Sequence, residues 1–329
     1  MTRLSVLDLS PICEGATPSD ALANSLDLAQ QAEKLGYYRY WVAEHHNMKG
    51  IASAATSVVI GHIAGGTHAI RVGAGGIMLP NHAPLMVAEQ FGTLEALYPG
   101  RIDLGLGRAP GTDGVTAQAL RRTLNSDPNK FPQDVLELRE YMKPAKPGQN
   151  VCAVPGYGTQ VPLYILGSSL FGAQLAAILG LPFAFASHFA PQAMEQALEI
   201  YRKEFEPSDV LDKPYVILGY NICCADTEEE AMYLRSSGLQ AFLRLRFGNP
   251  GPLPPPVQDL EATLSEQERL VMGQISSCAS TGTPEQVRKD VREFVRYTSA
   301  DELIVVAQIY EHAARVRSYE LAMQACSEL

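Results

Sequence analysis

A glycine–serine turn in the middle of the chain has the composition of a phosphate-binding site. The apolar segment Pro162–Leu166 ends at Gly167, Ser168 and Ser169, and the alanine- and leucine-rich segment Gly172–Leu181 follows. This pattern predicts a buried strand, a tight turn and the start of a helix. Backbone N–H groups at a helix N-terminus, together with two hydroxyls, favour an anion. We therefore expect a phosphorylated cofactor there. The alternative is an abbreviated dinucleotide-binding turn, but the full spacing of that motif is missing.

A histidine pair follows another predicted strand. Tyr40–Ala43 is an apolar segment that ends in Glu44, His45 and His46. An imidazole with an ordinary pKa near 6.5 suits proton transfer at neutral pH. Adjacent strand residues point to opposite faces, so His45 and His46 are not expected to share one metal ion, and no metal site is predicted. The alternative is that all three side chains only hydrogen-bond at a polar rim.

Two further strand ends carry residues that suit ligand binding. Gly75 and Gly76 would permit unusual backbone geometry or the close approach of a flat ligand, although an ordinary turn is equally compatible. Arg108 follows a glycine-rich strand, where a fixed guanidinium could bind a phosphate or carboxylate. A salt bridge at the rim is the alternative for Arg108.

The elements that carry these residues alternate between strand and helix along the chain. Apolar segments predict about eight strands: Leu4–Leu9, Tyr40–Ala43, Ile70–Ala74, Ile102–Leu106, Pro162–Leu166, Pro182–Ala186, Tyr215–Ala225 and Glu302–Ala307. Such alternation requires a parallel sheet, either a closed barrel or an open doubly wound sheet. Chemically distinctive residues lie near the C-terminal ends of different strands, namely Asp8, His45, Gly75, Arg108, Gly167, His188 and Gln308. A barrel brings all these ends to one face, so the barrel is favoured.

Composition narrows the class of protein further. The 329 residues are 46% hydrophobic and 19% charged, which is typical of a globular protein with a sizeable core. A net charge of −10 argues against nucleic acid and anionic membrane surfaces as partners. The six cysteines form no CxxC pair, and no targeting or membrane-spanning segment is recognised, so a cytoplasmic location is expected. No repeat or second domain is evident, and residues 1–329 are interpreted as one domain.

The motifs in this order resemble the bacterial-luciferase-like, flavin-dependent monooxygenase family over nearly the whole chain. The resemblance is carried by Tyr40–His46, Arg71–Pro80, His82–Pro84, Glu89–Gln90, Leu94, Pro99–Arg108, Ile165–Ser169 and Gly282–Glu285. Within the family, the chain is most similar to single-chain oxidoreductases of unassigned substrate. The resemblance implies an α/β fold, a TIM (β/α)8 barrel with insertions, that binds FMN at its C-terminal face.

The resemblance also implies roles for individual positions. His45 matches the catalytic histidine near the reacting edge of the flavin, and Arg108 matches the arginine that contacts the phosphate. The phosphate loop corresponds to Gly167, Ser168 and Ser169. Gly75 and Gly76 match the place where luciferases carry a non-prolyl cis peptide beside the flavin ring. The substrate pocket is expected near Leu9, Met78 and His188, under a mobile lid at about 246–279.

Two positions depart from the luciferases. Gly107 stands where they have a reactive cysteine, and Gly167 stands where they have an acidic residue in the phosphate loop. Cysteine chemistry and light emission are therefore not expected, whereas flavin binding is.

The activity implied by the resemblance is a two-component reaction. Reduced FMN would come from a separate NAD(P)H:flavin reductase, since no nicotinamide fingerprint is visible. With dioxygen it would oxidise a small organic substrate such as an aldehyde or ketone, in a homodimer or homotetramer. Three alternatives remain open: F420-dependent hydride transfer on the same fold, a non-catalytic flavin-binding barrel, and a metal-dependent barrel hydrolase.

Overall fold

Eight parallel strands close into a barrel in the computed structural model, which describes residues 2–109, 111, 114–120 and 128–327. The strands of the described residues are β1 Arg3–Asp8, β2 Arg39–Val42, β3 Arg71–Met78, β4 Ile102–Gly107, β5 Leu163–Gly167, β6 Phe183–Phe185, β7 Val216–Cys224, β8 Ala279–Gly282 and β9 Glu302–Val306. Strands β1 to β7 follow one another around the barrel, and β9 closes it between β7 and β1. The predicted barrel is confirmed, and each of the eight predicted strands overlaps one strand of the barrel.

Helices follow the strands and cover the outside of the barrel. They are α1 Pro18–Leu35, α2 Thr56–Gly65, α3 Pro84–Leu97, α4 Gly114–Leu120, α5 Phe131–Met142, α6 Leu170–Leu179, α7 Met194–Lys203, α8 Glu228–Arg246, α9 Leu260–Thr263, α10 Glu266–Ile275, α11 Pro284–Thr298 and α12 His312–Cys326. The first helix shows why the boundaries fall where they do. Thr17 and Asp20 form a reciprocal capping box at its start, and Gly36 ends it with φ of 86°. Among the helices of the described residues, none has the length and apolarity needed to cross a bilayer.

One strand and part of the connection before it were not expected. Strand β8 pairs with Asn221–Cys224, the C-terminal part of β7, beyond the segment of β7 that pairs with β6. The predicted lid at about 246–279 contains α9 and α10. Leu253 in this segment exchanges backbone hydrogen bonds with Ile12 and Glu14, at 2.8 Å each. The sequence predicts that Ala117–Lys143 is mostly helical, with a break near Asp127 and Pro128, and Asp127 lies outside the described residues.

The barrel interior is layered, because every second residue of a strand points inward. At the N-terminal end, Arg39 pairs with Asp103 and Glu302, with N–O distances of 2.8 and 2.9 Å, and all three side chains are buried. An apolar layer that includes Trp41 and Tyr164 lies above these ion pairs. The C-terminal end of the barrel is open and holds a cavity.

Candidate functional site

A cavity of about 910 Å³ opens at the C-terminal ends of the strands. This volume is typical of sites for drug-sized ligands and cofactors. Nine of the ten predicted site residues line it: Leu9, His45, Gly75, Met78, Arg108, Gly167, Ser168, Ser169 and His188. Gln308, which the strand-end argument singled out, lines it too. The closure of the barrel is therefore what brings these distant segments together.

Two sequence-based expectations need correction. Gly76 does not line the cavity. Its side-chain position faces β4, where a β-carbon would lie 2.7 Å from the carbonyl oxygen of Gly105. Asp8 also faces away from the cavity, because Leu7 and Leu9 take the inward positions of its strand. Its buried carboxylate pairs with Arg315 at 2.7 Å, which makes it part of the packing between barrel and helices.

His45 is partly buried at the cavity wall, just after β2. Its Nδ1 lies 3.4 Å from the carbonyl oxygen of Gly111. A carbonyl can only accept, so this contact favours the proton on Nδ1 and leaves Nε2 as the basic nitrogen. Burial lowers the pKa of His45, and the neighbouring His46 lowers it further, while the Gly111 contact and Glu44 act in the opposite direction. His45 is therefore a neutral imidazole, able to accept a proton, at pH 7.

The neighbours of His45 form a separate polar cluster. One oxygen of Glu44 lies 2.7 Å from Nε2 of His46 and 2.9 Å from Nε2 of His82, and its other oxygen accepts from the backbone N–H of Met78. Burial opposes ionisation of Glu44, but the histidine hydrogen bonds lower its pKa to about 2. An ionised carboxylate only accepts, so both Nε2 atoms donate. The three ligand atoms lie close enough to hold a metal ion, but hydrogen bonds already join them.

This cluster fixes the backbone on both sides of His45. His46 was expected to face away from His45, and it does so by binding Glu44. Sequence reasoning did not assign a role to His82, because its contact with Glu44 spans 38 residues. Glu44 accepts hydrogen bonds from the backbone N–H of Met78 and from His82. These bonds tie the loop after β2 to the end of β3 and should hold the His45 ring in place.

The turn after β5 has the features expected of an anion site. Ser169 is the N-cap residue of α6, and it makes no side-chain capping bond, so the first N–H groups of the helix are not satisfied by it. Ser168 and Ser169 are exposed to the cavity. The Arg108 guanidinium lies 4.1 Å from the ring centroid of Phe171, which also lines the cavity. A cation, two hydroxyls and a helix N-terminus thus share one end of the cavity.

Glycine positions shape the wall between that end and His45. The Gly75–Gly76 peptide bond is cis, as the resemblance implied. It lies in an irregular part of β3, where the register with β4 shifts between Ala74 and Ile77. A β-carbon on Gly107 would lie 2.8 Å from Sδ of Met78, so the cysteine of the luciferases would require Met78 to move.

His188 is a second imidazole that lines the cavity, near His45. Its Nδ1 is buried and has no hydrogen-bond partner among the described residues. The ring packs on Gly219, where a β-carbon would lie 2.0 Å from Nδ1. Burial, and to a lesser degree the proximity of His45, lowers the pKa of His188 to about 4. His188 is therefore neutral at pH 7 and fits only because Gly219 has no side chain.

Replacing His188 with glutamine should reduce the loss of stability in mild acid. An unfolded histidine binds a proton below about pH 6.5, whereas His188 in the folded chain resists protonation down to about pH 4. The free energy of unfolding should therefore be unaffected by this group above pH 6.5 and fall by on the order of 1 kcal/mol per pH unit between pH 6.5 and 4. Urea unfolding of both proteins at pH 7.5, 5.5 and 4.5 measures this. Identical pH dependences would contradict the assignment of a neutral His188.

Sequence reasoning missed the wall formed by α8. This helix contributes cavity-lining side chains at Arg235, Leu239, Phe242, Leu245 and Arg246. The charged residues of a helix that follows a strand normally face solvent, and the sequence around them contains no motif. Only the folded structure shows that this face of the helix turns toward the cavity.

Comparison with known proteins identifies the family. The chain matches the family model for luciferase-like monooxygenases over residues 2–302. A luciferase-like monooxygenase of Escherichia coli is 53% identical over 325 residues, which are 99% of this chain and 97% of the relative. The N-acetyl-S-alkylcysteine monooxygenase of Bacillus subtilis is 40% identical over 210 residues, which are 63% of this chain and 62% of the relative.

Solved structures agree in fold. The structure of apo-MsnO8 is 35% identical, has a TM-score of 0.88, and covers 100% of this chain and 99% of its own. An FMN complex of the oxygenating constituent of 3,6-diketocamphane monooxygenase from Pseudomonas putida (17% identity, TM-score 0.74) has the same fold and covers 99% of this chain and 98% of its own. So does an F420-dependent secondary alcohol dehydrogenase (18% identity, TM-score 0.65), which covers 99% of both chains. Because the family model and the E. coli relative span nearly all of it, this chain belongs to the luciferase-like monooxygenase family.

Proposed function

We propose that this protein is a monooxygenase that binds reduced FMN in the barrel cavity and uses dioxygen to oxidise a small organic substrate. The observation that carries the proposal is one cavity that has Arg108, two serines and a helix N-terminus at one end and a neutral, partly buried histidine elsewhere on its wall. Membership of the family supports the reaction class, and the name of the B. subtilis relative supports a small organic substrate.

The residues present fit FMN. Arg108, the Ser168 and Ser169 hydroxyls and the N-terminus of α6 would hold its phosphate. Gly75 presents backbone instead of a side chain to the cavity, which suits a flat ring. When bound in its reduced form, FMN would supply the reaction with dioxygen, which amino acid side chains cannot perform. The protein's part would be to orient the two reactants and to keep water out.

His45 would serve as the proton-holding group of the site. Its neutral form can accept a proton and return it, and the Glu44 cluster keeps the ring in position. The absence of a recognised nicotinamide motif favours a separate flavin reductase as partner. As in the family, a homodimer or homotetramer and a mobile lid at about 246–279 remain part of the proposal.

Replacing Arg108 with alanine should weaken FMN much more than riboflavin. The two ligands differ only in the phosphate, and a charge-assisted hydrogen bond contributes about 1.5–3 kcal/mol, or roughly 10- to 100-fold in affinity. Titration of the purified protein by flavin fluorescence measures both dissociation constants. Riboflavin has no phosphate to contact Arg108, so its affinity should change by less than about twofold.

Arg246→Ala is the matched control for this experiment. Arg246 lines the same cavity, but its guanidinium stacks on Phe189 and Phe242 and donates to the carbonyl of Phe189. Its removal should leave the ratio of FMN to riboflavin affinity unchanged. Equal losses for the two ligands in Arg108→Ala would remove Arg108 from the phosphate site.

Anaerobic absorbance titration with reduced FMN and reduced F420 distinguishes the two cofactors. Binding of F420 alone would contradict the proposal.

A further inference from the structure

Arg235 is a cavity cation that the proposed FMN site does not use. It lies in the middle of α8 and lines the cavity together with Asn221 and Cys223 of β7 and Thr281 of β8. The proposed anion site at Gly167–Ser169 and Arg108 is built by β4, β5 and α6. These elements differ from β7, β8 and α8, which surround Arg235. Arg235 therefore marks a second polar region of the same cavity.

No described residue forms a hydrogen bond or an ion pair with Arg235. Cys223 and Tyr220 lie near it, but burial raises the pKa of both groups, that of Cys223 to about 12, so both are neutral at pH 7. The nearby anion is Glu261, which is exposed on α9 and forms no ion pair with Arg235 within the described chain. Arg235 is partly buried at the cavity wall, and no counter-ion contacts its guanidinium within the described chain.

Other arginines of this chain show how unusual that is. The buried Arg39 and Arg315 each bind carboxylates at 2.7–2.9 Å. The other two cavity arginines, Arg108 and Arg246, each stack on an aromatic ring. Burial lowers the pKa of Arg235, and the partial opposition of its neighbours does not cancel this effect. A partly buried, unpaired charge is available to a ligand that enters the cavity and supplies the anion.

We propose that Arg235 binds a carboxylate of the substrate, so that the substrate class is small organic acids with one negative charge. This inference rests on the proposed function in taking the cavity as the substrate site. A guanidinium matches a carboxylate with two parallel hydrogen bonds. One cation balances one negative charge, and the nearby Glu261 disfavours a dianion such as a phosphate monoester. The Asn221 amide and Thr281 hydroxyl offer further polar groups on the same wall.

The test compares straight-chain carboxylates from acetate to decanoate with the amides of equal length. Calorimetric titration of the purified protein, with and without FMN, measures their dissociation constants. At least one carboxylate should bind more tightly than its amide, and Arg235→Met should weaken that carboxylate by roughly 10- to 100-fold. Amide binding should change little. Arg244→Met, on the same helix, removes a cation that pairs with Glu14 outside the cavity and should leave carboxylate binding unchanged.

A second measurement distinguishes a ligand-binding role from a structural one. Because Arg235→Met removes a partly buried charge that has no partner, the ligand-free variant should have an unchanged or higher melting temperature. A fall of several degrees would show that Arg235 supports the fold through a partner of its own, and would overturn the proposal. So would a carboxylate series that binds no better than the amides, or equal losses of both in the variant.

FMN binding keeps this proposal separate from the previous one. Arg235→Met should not change the affinity for FMN relative to riboflavin, whereas Arg108→Ala should. If Arg235→Met lowers FMN affinity selectively, Arg235 belongs to the phosphate site and the carboxylate assignment is wrong. If the wild-type protein binds no FMN at all, the proposed function fails, yet the titrations of the FMN-free protein still decide whether Arg235 selects carboxylates.

Discussion

Replacing His45 with alanine should uncouple the consumption of reduced flavin from oxidation of the substrate. Oxygen uptake should continue, but product formation should fall by about 10²- to 10⁴-fold, the usual contribution of a positioned acid–base group. His45 is the cavity histidine whose Nδ1 contact with Gly111 favours a basic Nε2. Without the proton-holding imidazole in the cavity wall, oxygen would be released as hydrogen peroxide instead of being incorporated into the substrate.

Three quantities measured together test this expectation: oxygen consumed, hydrogen peroxide released and product formed. They require reduced FMN and any substrate that the wild-type protein oxidises. FMN affinity should be retained in His45→Ala, since the proposed phosphate site lies elsewhere in the cavity. His188→Gln is the matched control, because it alters the second cavity imidazole and should keep more of the coupling. Unchanged coupling in His45→Ala would exclude the proposed role.

The pH dependence of coupling gives an independent check on His45. Burial lowers the pKa of this imidazole below its ordinary value of about 6.5. The neutral form is therefore present at pH 7 and is lost only as the pH falls below that ordinary value. Coupling in the wild type should hold through neutral pH and decline in acid, and His45→Ala should lack this decline.

The barrel and the convergence of its strand ends followed from local patterns in the sequence. Alternating strands and helices require a parallel sheet, and closure places His45, Gly75, Arg108 and Gly167 around one cavity. Each of these residues is adjacent in sequence to the strand that positions it. A site built from strand ends is for that reason accessible to sequence reasoning, and the resemblance to the family added roles that the patterns alone left open.

Other features depend on relations that local patterns do not contain. The strand Ala279–Gly282 has no long apolar run, and it forms because β7 extends beyond β6 and offers an unpaired edge. The outward direction of Asp8 depends on strand register and on Arg315, 307 residues away. The position of Arg235 depends on which face of α8 turns inward. In each case, the partner distant in the sequence decides the outcome.

Replacing Arg39 with methionine should destabilise the barrel more than any substitution in the cavity. The Arg39 guanidinium holds Asp103 and Glu302 together in the lowest layer of the interior, and all three side chains are almost fully buried. Removing one partner of a buried ion pair leaves uncompensated charge and typically costs about 3–5 kcal/mol. Methionine has a similar length, so lost packing should contribute little. Urea unfolding followed by circular dichroism measures the change.

Two variants separate charge from packing in this layer. Arg71→Met removes the other arginine that binds Asp103, but Arg71 is partly exposed, and a smaller loss is expected. Asp103 keeps its ion pair with Arg71 in Arg39→Met, whereas Glu302 loses its ion-pair partner. Adding Glu302→Gln to Arg39→Met removes that unpaired carboxylate and should recover part of the lost stability. A loss below about 1 kcal/mol for Arg39→Met, or no recovery in the double variant, would contradict the view that charge balance supports this layer.

Trp41 lies between the ion-pair layer of Arg39 and the cavity above it, so its fluorescence is sensitive to changes in either. It is the one tryptophan of the sequence, it is buried, and its indole N–H donates to Asp103 at 3.1 Å. A β-carbon on Gly75 would lie 3.1 Å from Cβ of Trp41, so the indole packs directly beneath the cavity wall. Loss of Arg39 should therefore shift the Trp41 fluorescence before global unfolding and weaken flavin binding, although no cavity residue has been changed. An unaltered emission spectrum with full flavin affinity would show that the cavity keeps its shape independently of the ionic layer.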